Sequence, residues 1–243
     1  MEQQTSYPER NLLLQALPPH EREKIAPHLE FLTLERNDVC IESGRPITFV
    51  YFLDGGLGST VMPDNDQGVA ELGAQGYEGL VGVPAILGAT DTPHRTFMQV
   101  GGPARRIPVD ELRTLMDERP ALRHLLLRYA QVFLIQISQT AYANARFKVD
   151  ERLARWILMS ADRLGSPASL THDFLSVMLG VRRPSVTDAI HVLEGEGLIR
   201  ANRGVIEIRD RQRLEMRTAG CYGVPEREYE RLIGPWRSLA ILG

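Results

Sequence analysis

The texture of apolar positions changes twice along the chain, and the changes divide it. Leu12-Leu13-Leu14 to Leu29 reads as short helices interrupted at Pro18-Pro19. From Phe31 to Ile107 the apolar runs shorten to strand length: Phe31–Leu34, Val39–Ile41, Phe49–Leu53, Gly58–Met62, Val69–Leu72, Phe97–Val100 and Ala104–Ile107. Gly44-Arg45-Pro46, Asp54-Gly55-Gly56, Pro63-Asp64-Asn65-Asp66 and Gly73 to Gly76 punctuate them as turns. Short strands at near-regular spacing predict a sandwich or barrel.

After Pro108-Val109-Asp110 the apolar spacing becomes helical. Glu111 to Asp117 predicts a short helix, and Pro120 introduces a long one. Ala121 to Ala145 contains no Gly or Pro and would run for roughly 35–40 Å. Its apolar residues, Leu122, Leu125, Leu126, Tyr129, Val132, Phe133, Ile137 and Ala141, fall on more than one face, so the helix must be covered on two sides. The strand-rich part supplies one cover. The same helix from a second subunit is the simplest source of the other, which makes Leu122, Leu125, Tyr129, Val132, Phe133 and Ile137 candidate dimer contacts; a central helix buried within one protomer is the alternative. Asp150 is placed to cap a further helix with Leu153, Trp156, Ile157, Ala161 and Leu164 as its apolar stripe and Gly165 as its stop. The division is then 1–119, 120–148 and 149–243.

The third part carries the chemistry. Leu170, Phe174, Leu175 and Met178 sit at helical spacing around Thr171, an N-cap whose oxygen can hold a free backbone N–H, and Gly180 closes that helix. After Val181-Arg182-Arg183, Pro184 opens a second helix with Val186, Ala189, Ile190 and Leu193 as its buried stripe. Arg183, Ser185, Thr187, Asp188 and His191 remain on or beside the outer face. Paired helices of this kind form a helix-turn-helix, whose second helix enters the DNA major groove. Leu198-Ile199-Arg200 and Val205-Ile206-Glu207-Ile208 flank Ala201-Asn202-Arg203-Gly204, a hairpin by composition, and such a wing brings Arg200 and Arg203 to flanking phosphates. A winged helix used only for protein contacts is the competing reading.

Composition narrows the rest. At 243 residues, 43% hydrophobic and 24% charged, the chain has the make-up of an ordinary soluble protein with a proper core. Its net charge of −3 means that DNA affinity must come from a local surface, which arginines 182, 183, 200 and 203 supply. Two cysteines, Cys40 and Cys221, are too few for a disulfide framework, a four-thiolate iron–sulfur cluster or a Cys-rich zinc site, and no metal site is expected. The polar stretch Met1 to Arg10 lacks a signal-peptide pattern and Val132 to Ile137 is too short to span a bilayer, so a cytoplasmic protein without membrane contact is expected. No Ser/His/Asp set, metal-ligand cluster or phosphate-binding loop is recognisable, so an enzyme is not expected.

Taken in order, these parts resemble the Crp/Fnr family of bacterial transcription regulators from Leu12 to about Ile233. Ile41-Glu42-Ser43-Gly44 and Val50-Tyr51-Phe52-Leu53-Asp54-Gly55 look like the family's early strands, and Gly79-Leu80-Val81-Gly82-Val83-Pro84 resembles the loop and short helix of its effector pocket. Arg152 to Leu158, Leu170 to Gly180 and Val192 to Ile199 resemble its DNA-binding module. The resemblance implies an α+β fold: an N-terminal β-roll (a double-stranded, jelly-roll-like barrel), a long dimerisation helix and a C-terminal winged helix-turn-helix. It implies a homodimer on a double-stranded operator, a small-molecule effector, and RNA polymerase as a further partner.

The departures qualify it. In cyclic-AMP-responsive members a Glu one residue after a Gly holds the ribose and an Arg-Ser pair holds the phosphate. Here Arg95-Thr96 suits the phosphate end, although Arg95 reads equally as a solvated edge-strand residue. Val83 follows Gly82 where the Glu belongs, and Glu78 precedes the loop glycines. A ribose facing valine leaves hydroxyls unpaired at about 1–3 kcal/mol each, so cyclic AMP is disfavoured. Haem, which would need His94 or His124 as a ligand, is disfavoured as well. In the recognition helix the family often places a Glu second and an Arg sixth in the run beginning at Arg183, where this chain has Pro184 and Asp188. Arg183 keeps its place and can fork onto a guanine edge; Asp188 either accepts from cytosine N4 or pairs with Arg182 or Arg183. The tail from Arg211 to Gly243 resembles an extension seen in a subset of the family and implies packing only.

Overall fold

The computed structural model describes residues 9–63 and 70–236. Helices α1 (Leu12–Ala16) and α2 (Pro19–Ile25) and a 3-10 turn at Ala26–His28 precede eight strands. These are β1 (Glu30–Leu34), β2 (Val39–Ile41), β3 (Phe49–Leu53), β4 (Leu57–Met62), β5 (Ala70–Gln75), β6 (Leu80–Val81), β7 (Arg95–Val100) and β8 (Gly102–Pro108), with α3 (Val83–Ile86) after β6. They form two antiparallel sheets, ordered β1-β8-β3-β6 and β2-β7-β4-β5, as the strand-length runs predict. Met1–Pro8, Asp64–Asp66 and the Val69 end of the expected fifth strand lie outside the described residues.

One turn assignment is corrected. Gly73 to Gln75 belong to β5, paired with Thr60, Ser59 and Gly58, instead of a turn. The glycine is there because α5 lies close: a Cβ on Gly73 would stand 2.8 Å from the Phe133 ring.

α4 (Val109–Glu118) and α5 (Pro120–Arg146) follow, then α6 (Val149–Leu164), a short strand β9 (Ala168–Ser169), α7 (His172–Leu179), α8 (Arg183–Gly195), β10 (Ile199–Asn202), β11 (Val205–Ile208), α9 (Arg211–Arg217) and α10 (Val224–Leu232). Asp150 does not cap α6. The helix opens at Val149, and Glu151 reaches back to accept from the Lys148 N–H at 2.8 Å, which frees Asp150 to pair with Arg217. The wing has three strands, because β9 adds to β11, and its turn is two residues long. Ala201 and Asn202, expected in that turn, continue β10, while Arg203 and Gly204 take positive φ (47° and 79°), the conformation that matches a tight hairpin to strand twist.

The largest correction concerns α5. Leu122, Leu125, Tyr129, Val132 and Phe133 are all buried inside the protomer, and Ile137 is half-buried. One face of the helix meets the β-roll; the other is covered by α10 from the chain's own tail, which packs as its resemblance to a family extension implies. Tyr229 of α10 joins the β-roll core, while Leu57 and Ala74 of the β-roll join the second core, built from α6, α7, α8 and the wing. Each core therefore borrows residues across the domain boundary.

Candidate nucleic-acid interface

The local sequence sets the two helices as expected. The Thr171 hydroxyl accepts from the Phe174 N–H at 3.2 Å at the start of α7, and Gly180 ends the helix in the left-handed conformation. The Arg152 guanidinium donates to the Leu179 carbonyl, tying α6 to the end of α7. A contact of 3.2 Å between His172 Nδ1 and the Thr187 hydroxyl joins α7 to α8, and Thr187 also donates to the Arg183 carbonyl. Val186, Ala189, Ile190 and Leu193 are buried. Opposite them Arg182, Arg183, Pro184, Asp188 and His191 are exposed, with Ser185 and Thr187 half-buried at the sides. Thr187 is thus a brace between helices more than a free groove-facing group, and Thr171, half-buried, is occupied with capping.

The alternative partnership for Asp188 does not form. Arg183 pairs with Asp173 of α7 at 3.4 Å, and among the described residues Asp188 has no ion pair. Its carboxylate projects from the exposed face between Pro184 and His191, one turn into the helix. On the wing, Arg200 stands across from Glu207, and exposed Arg203 occupies the turn. Glu194 of α8 accepts from the Ala201 N–H at 2.7 Å, and Leu170 N–H donates to the Gly204 carbonyl at 2.7 Å, so the wing is fixed to both helices. Four arginines on two adjoining elements give a cationic strip on an otherwise anionic chain.

The residues expected to line an effector pocket are spent on other contacts. A Cβ on Gly79 would lie 2.0 Å from the Tyr129 hydroxyl, and one on Gly82, whose φ is +123°, would lie 2.8 Å from Val50. The two loop glycines are required by close packing against α5 and β3. Leu80, Val81 and Val83 are buried in the β-roll core. Arg95 turns outward to Glu42 at 3.5 Å and over the Phe97 ring, whereas Thr96 points inward, its hydroxyl 2.9 Å from that of Thr60. Adjacent strand residues face opposite sides, so the pair does not converge on one ligand through its side chains. His94 is half-buried beside Thr92, and His124 is exposed on α5. Burial pushes the Cys40 thiol up to about 12 and the Cys221 thiol up to about 11.

Sequence reasoning missed the buried charges at the domain boundary. Arg163 of α6 donates from Nε to Glu78 Oε1 at 2.9 Å, and its Nη2 lies 2.9 Å from the same oxygen in an ion pair, with both side chains almost wholly enclosed. Asp162, also enclosed, is held by Arg211 at 2.8 Å and by the Tyr222 hydroxyl. Arg155 donates to the Thr140 hydroxyl at 3.1 Å. On a helical wheel Arg155, Asp162 and Arg163 fall outside the apolar stripe of α6 and read as solvent-facing; the packing of the β-roll, α5, α9 and the tail encloses them.

Comparison with known proteins agrees with this geometry. Residues 151–217 match the Crp-like helix-turn-helix domain. A Crp/Fnr transcriptional regulator from Eubacterium rectale shares the fold with a TM-score of 0.67 at 16% identity, over 86% of this chain and 98% of that one. FixK2 from Bradyrhizobium japonicum gives 0.69 at 15% identity, over 77% and 96%. The c-di-GMP responsive regulator CLP of Xanthomonas campestris gives 0.65 at 15%, over 79% and 99%. Identities this low establish a common fold. No curated protein sequence matches the chain. No helix among the described residues is long and apolar enough to cross a membrane.

Proposed function

We propose that this chain, which carries a Crp-like helix-turn-helix domain in the fold of Crp/Fnr regulators, is a homodimeric, sequence-specific transcription regulator of double-stranded DNA. The carrying observation is the exposed outer face of α8, with Arg182, Arg183, Asp188 and His191, standing beside a wing that presents Arg200 and Arg203. In such a face phosphate contacts fix the register and base-edge contacts choose the site. Arg183 is the base reader in this reading, and Arg200 and Arg203 are phosphate clamps.

Dimerisation rests on a different stripe of α5 from the one the sequence suggested. Leu127, Gln131, Leu134, Ser138, Ala141 and Ala145 are all exposed, and they recur every three or four residues. That is the repeat of a two-stranded coiled-coil seam, with small residues that let backbones approach. Two recognition helices about 34 Å apart then meet successive major grooves.

The controlling signal, in this reading, is not cyclic AMP. Val83 offers a ribose no acceptor, and Arg95 is engaged with Glu42. Titration calorimetry should detect no micromolar binding of cyclic AMP. A gel shift with the chain's own upstream region tests the function itself: binding that weakens linearly in log salt supports it. A protein that leaves every duplex unshifted at low salt, yet pulls down a protein partner through α8, would establish the protein-contact alternative.

A further inference from the structure

The tail lies away from the outer face of α8, and its contacts reach α5, α6, the end of α8 and the β-roll core. Arg211 opens α9 against Asp162 of α6, and Arg217 closes it against Asp150 and Glu196, the latter at 3.2 Å just past the end of α8. The Cys221 carbonyl accepts from Gln139 of α5 at 3.4 Å, and the Leu232 carbonyl accepts from Arg128 of α5 at 3.4 Å. The chain then delivers Trp236 to the boundary between the two cores. Its ring lies edge-on to Tyr229, with centroids 5.0 Å apart, and under the Arg163 guanidinium at 5.0 Å. Arg163 is the arginine that grips Glu78 of the β-roll. One aromatic side chain thus seats on the ion pair that joins the winged helix to the β-roll.

Two features make this contact a device more than a plain packing site. First, it is incompletely satisfied. Around the small gap bordered by Glu78, Tyr129, Arg163, Tyr229 and Trp236, the second carboxylate oxygen of Glu78, the Tyr229 hydroxyl and the Trp236 indole N–H have no hydrogen-bond partner among the described residues. Buried polar groups left unpaired favour a state in which water reaches them, so the closed arrangement carries a standing cost that opening relieves. Second, the arrangement it holds covers the start of α7, the first helix of the helix-turn-helix. Thr171 and Phe174, at the start of α7, face Arg36, Val100 and Gly101 of the β-roll across a crevice of about 140 Å³. The first helix of a helix-turn-helix crosses the DNA backbone, and no duplex fits in a gap of that size.

We propose that residues 211–236 form an intramolecular latch: Trp236, seated on the Arg163–Glu78 pair, holds the winged helix closed against the β-roll, and its release frees the α7 end for DNA. The mechanical half stands on the contacts alone; the inhibitory half rests on the DNA-binding reading. Amide hydrogen exchange on the full chain without DNA tests the first. Trp236→Ala should speed exchange over 171–179 and 70–75 by at least about tenfold, since local opening sets that rate. Trp236→Phe, which keeps a ring under the guanidinium, should stay near wild type, and strands 30–34 and 102–108 should exchange as before in both. Trp236→Leu keeps the apolar volume without the ring and replaces the alanine variant if that one does not fold. Unchanged protection at 171–179 in a folded variant overturns the latch. A gel shift with a random-sequence duplex at low salt tests the second half, where the alanine variant should bind about tenfold more tightly than wild type. Faster exchange with unchanged DNA affinity overturns the inhibitory direction. Faster exchange when neither protein binds any duplex keeps the latch and rejects DNA binding itself.

Discussion

Glu71 is the residue whose environment departs furthest from its composition. Burial holds its carboxyl well above the ordinary 4.5, opposed by a hydrogen bond from Ser59 and by the charges of Arg163 and Arg155. The fold favours the protonated acid, so the folded chain binds more protons than the unfolded one as pH rises past about 4.5, and stability falls across that range. Glu71→Gln, neutral at every pH, should therefore match wild type near pH 4 and exceed it increasingly as pH rises to neutrality. Urea midpoints at the two pH values check this; a gap that does not grow with pH refutes it. On the DNA face, Arg183→Ala should cost about 1–3 kcal/mol and relax preference at one base pair, while Arg200→Ala or Arg203→Ala should weaken all sequences and lower the salt slope by about one. Asp188, which has no ion pair among the described residues, should shape the operator: site selection from random DNA should differ between wild type and Asp188→Ala at one position per half-site. An unchanged motif would leave it a surface charge.

At the scale of the element, α5 shows how a correct periodicity can name the wrong partner. Its apolar residues do lie on two faces, but the face assigned to a second subunit is filled by α10. Phe133 is 6% exposed and Leu134 is 48% exposed, so neighbours in sequence face the protomer core and its surface. Leu134→Glu should give a folded monomer in sedimentation, because a charge in a coiled-coil seam is tolerated by the protomer and rejected by the pair. Phe133→Glu should instead cost several kcal/mol of protomer stability, about 3–5, through a buried charge and a lost ring. A wild type that sediments as a monomer at micromolar concentration, or a Leu134→Glu dimer, would remove the seam.

The whole molecule is held as one body by charges placed where a sequence reading puts solvent. Glu78 and Arg163 are each almost wholly enclosed, and the two cores exchange Tyr229 for Leu57 and Ala74. Removing one member of such a pair strands the other charge, at a cost of about 3–5 kcal/mol. Wild type should unfold in one transition in urea, and Glu78→Gln should lose that much and split the transition into two, the winged helix melting first. A single transition at the wild-type midpoint would mean that the apolar exchange alone couples the domains.

The local elements of this protein were legible because each is decided within a few residues. Thr171 and Gly180 bound α7, Pro184 starts α8, and the strand-length runs from Phe31 to Ile107 become strands close to where they read. Caps, turns and amphipathic stripes depend on backbone geometry and on which side is apolar, and both are written in short windows. What covers a second apolar face is not. Whether α5 meets a partner or the tail, whether Glu78 faces solvent or Arg163, and whether Gly79 cradles a ligand or clears Tyr129 all turn on segments 50 to 104 residues away in sequence. Contacts of that separation are fixed by the shape and charge of the assembled surfaces, which only the tertiary structure decides.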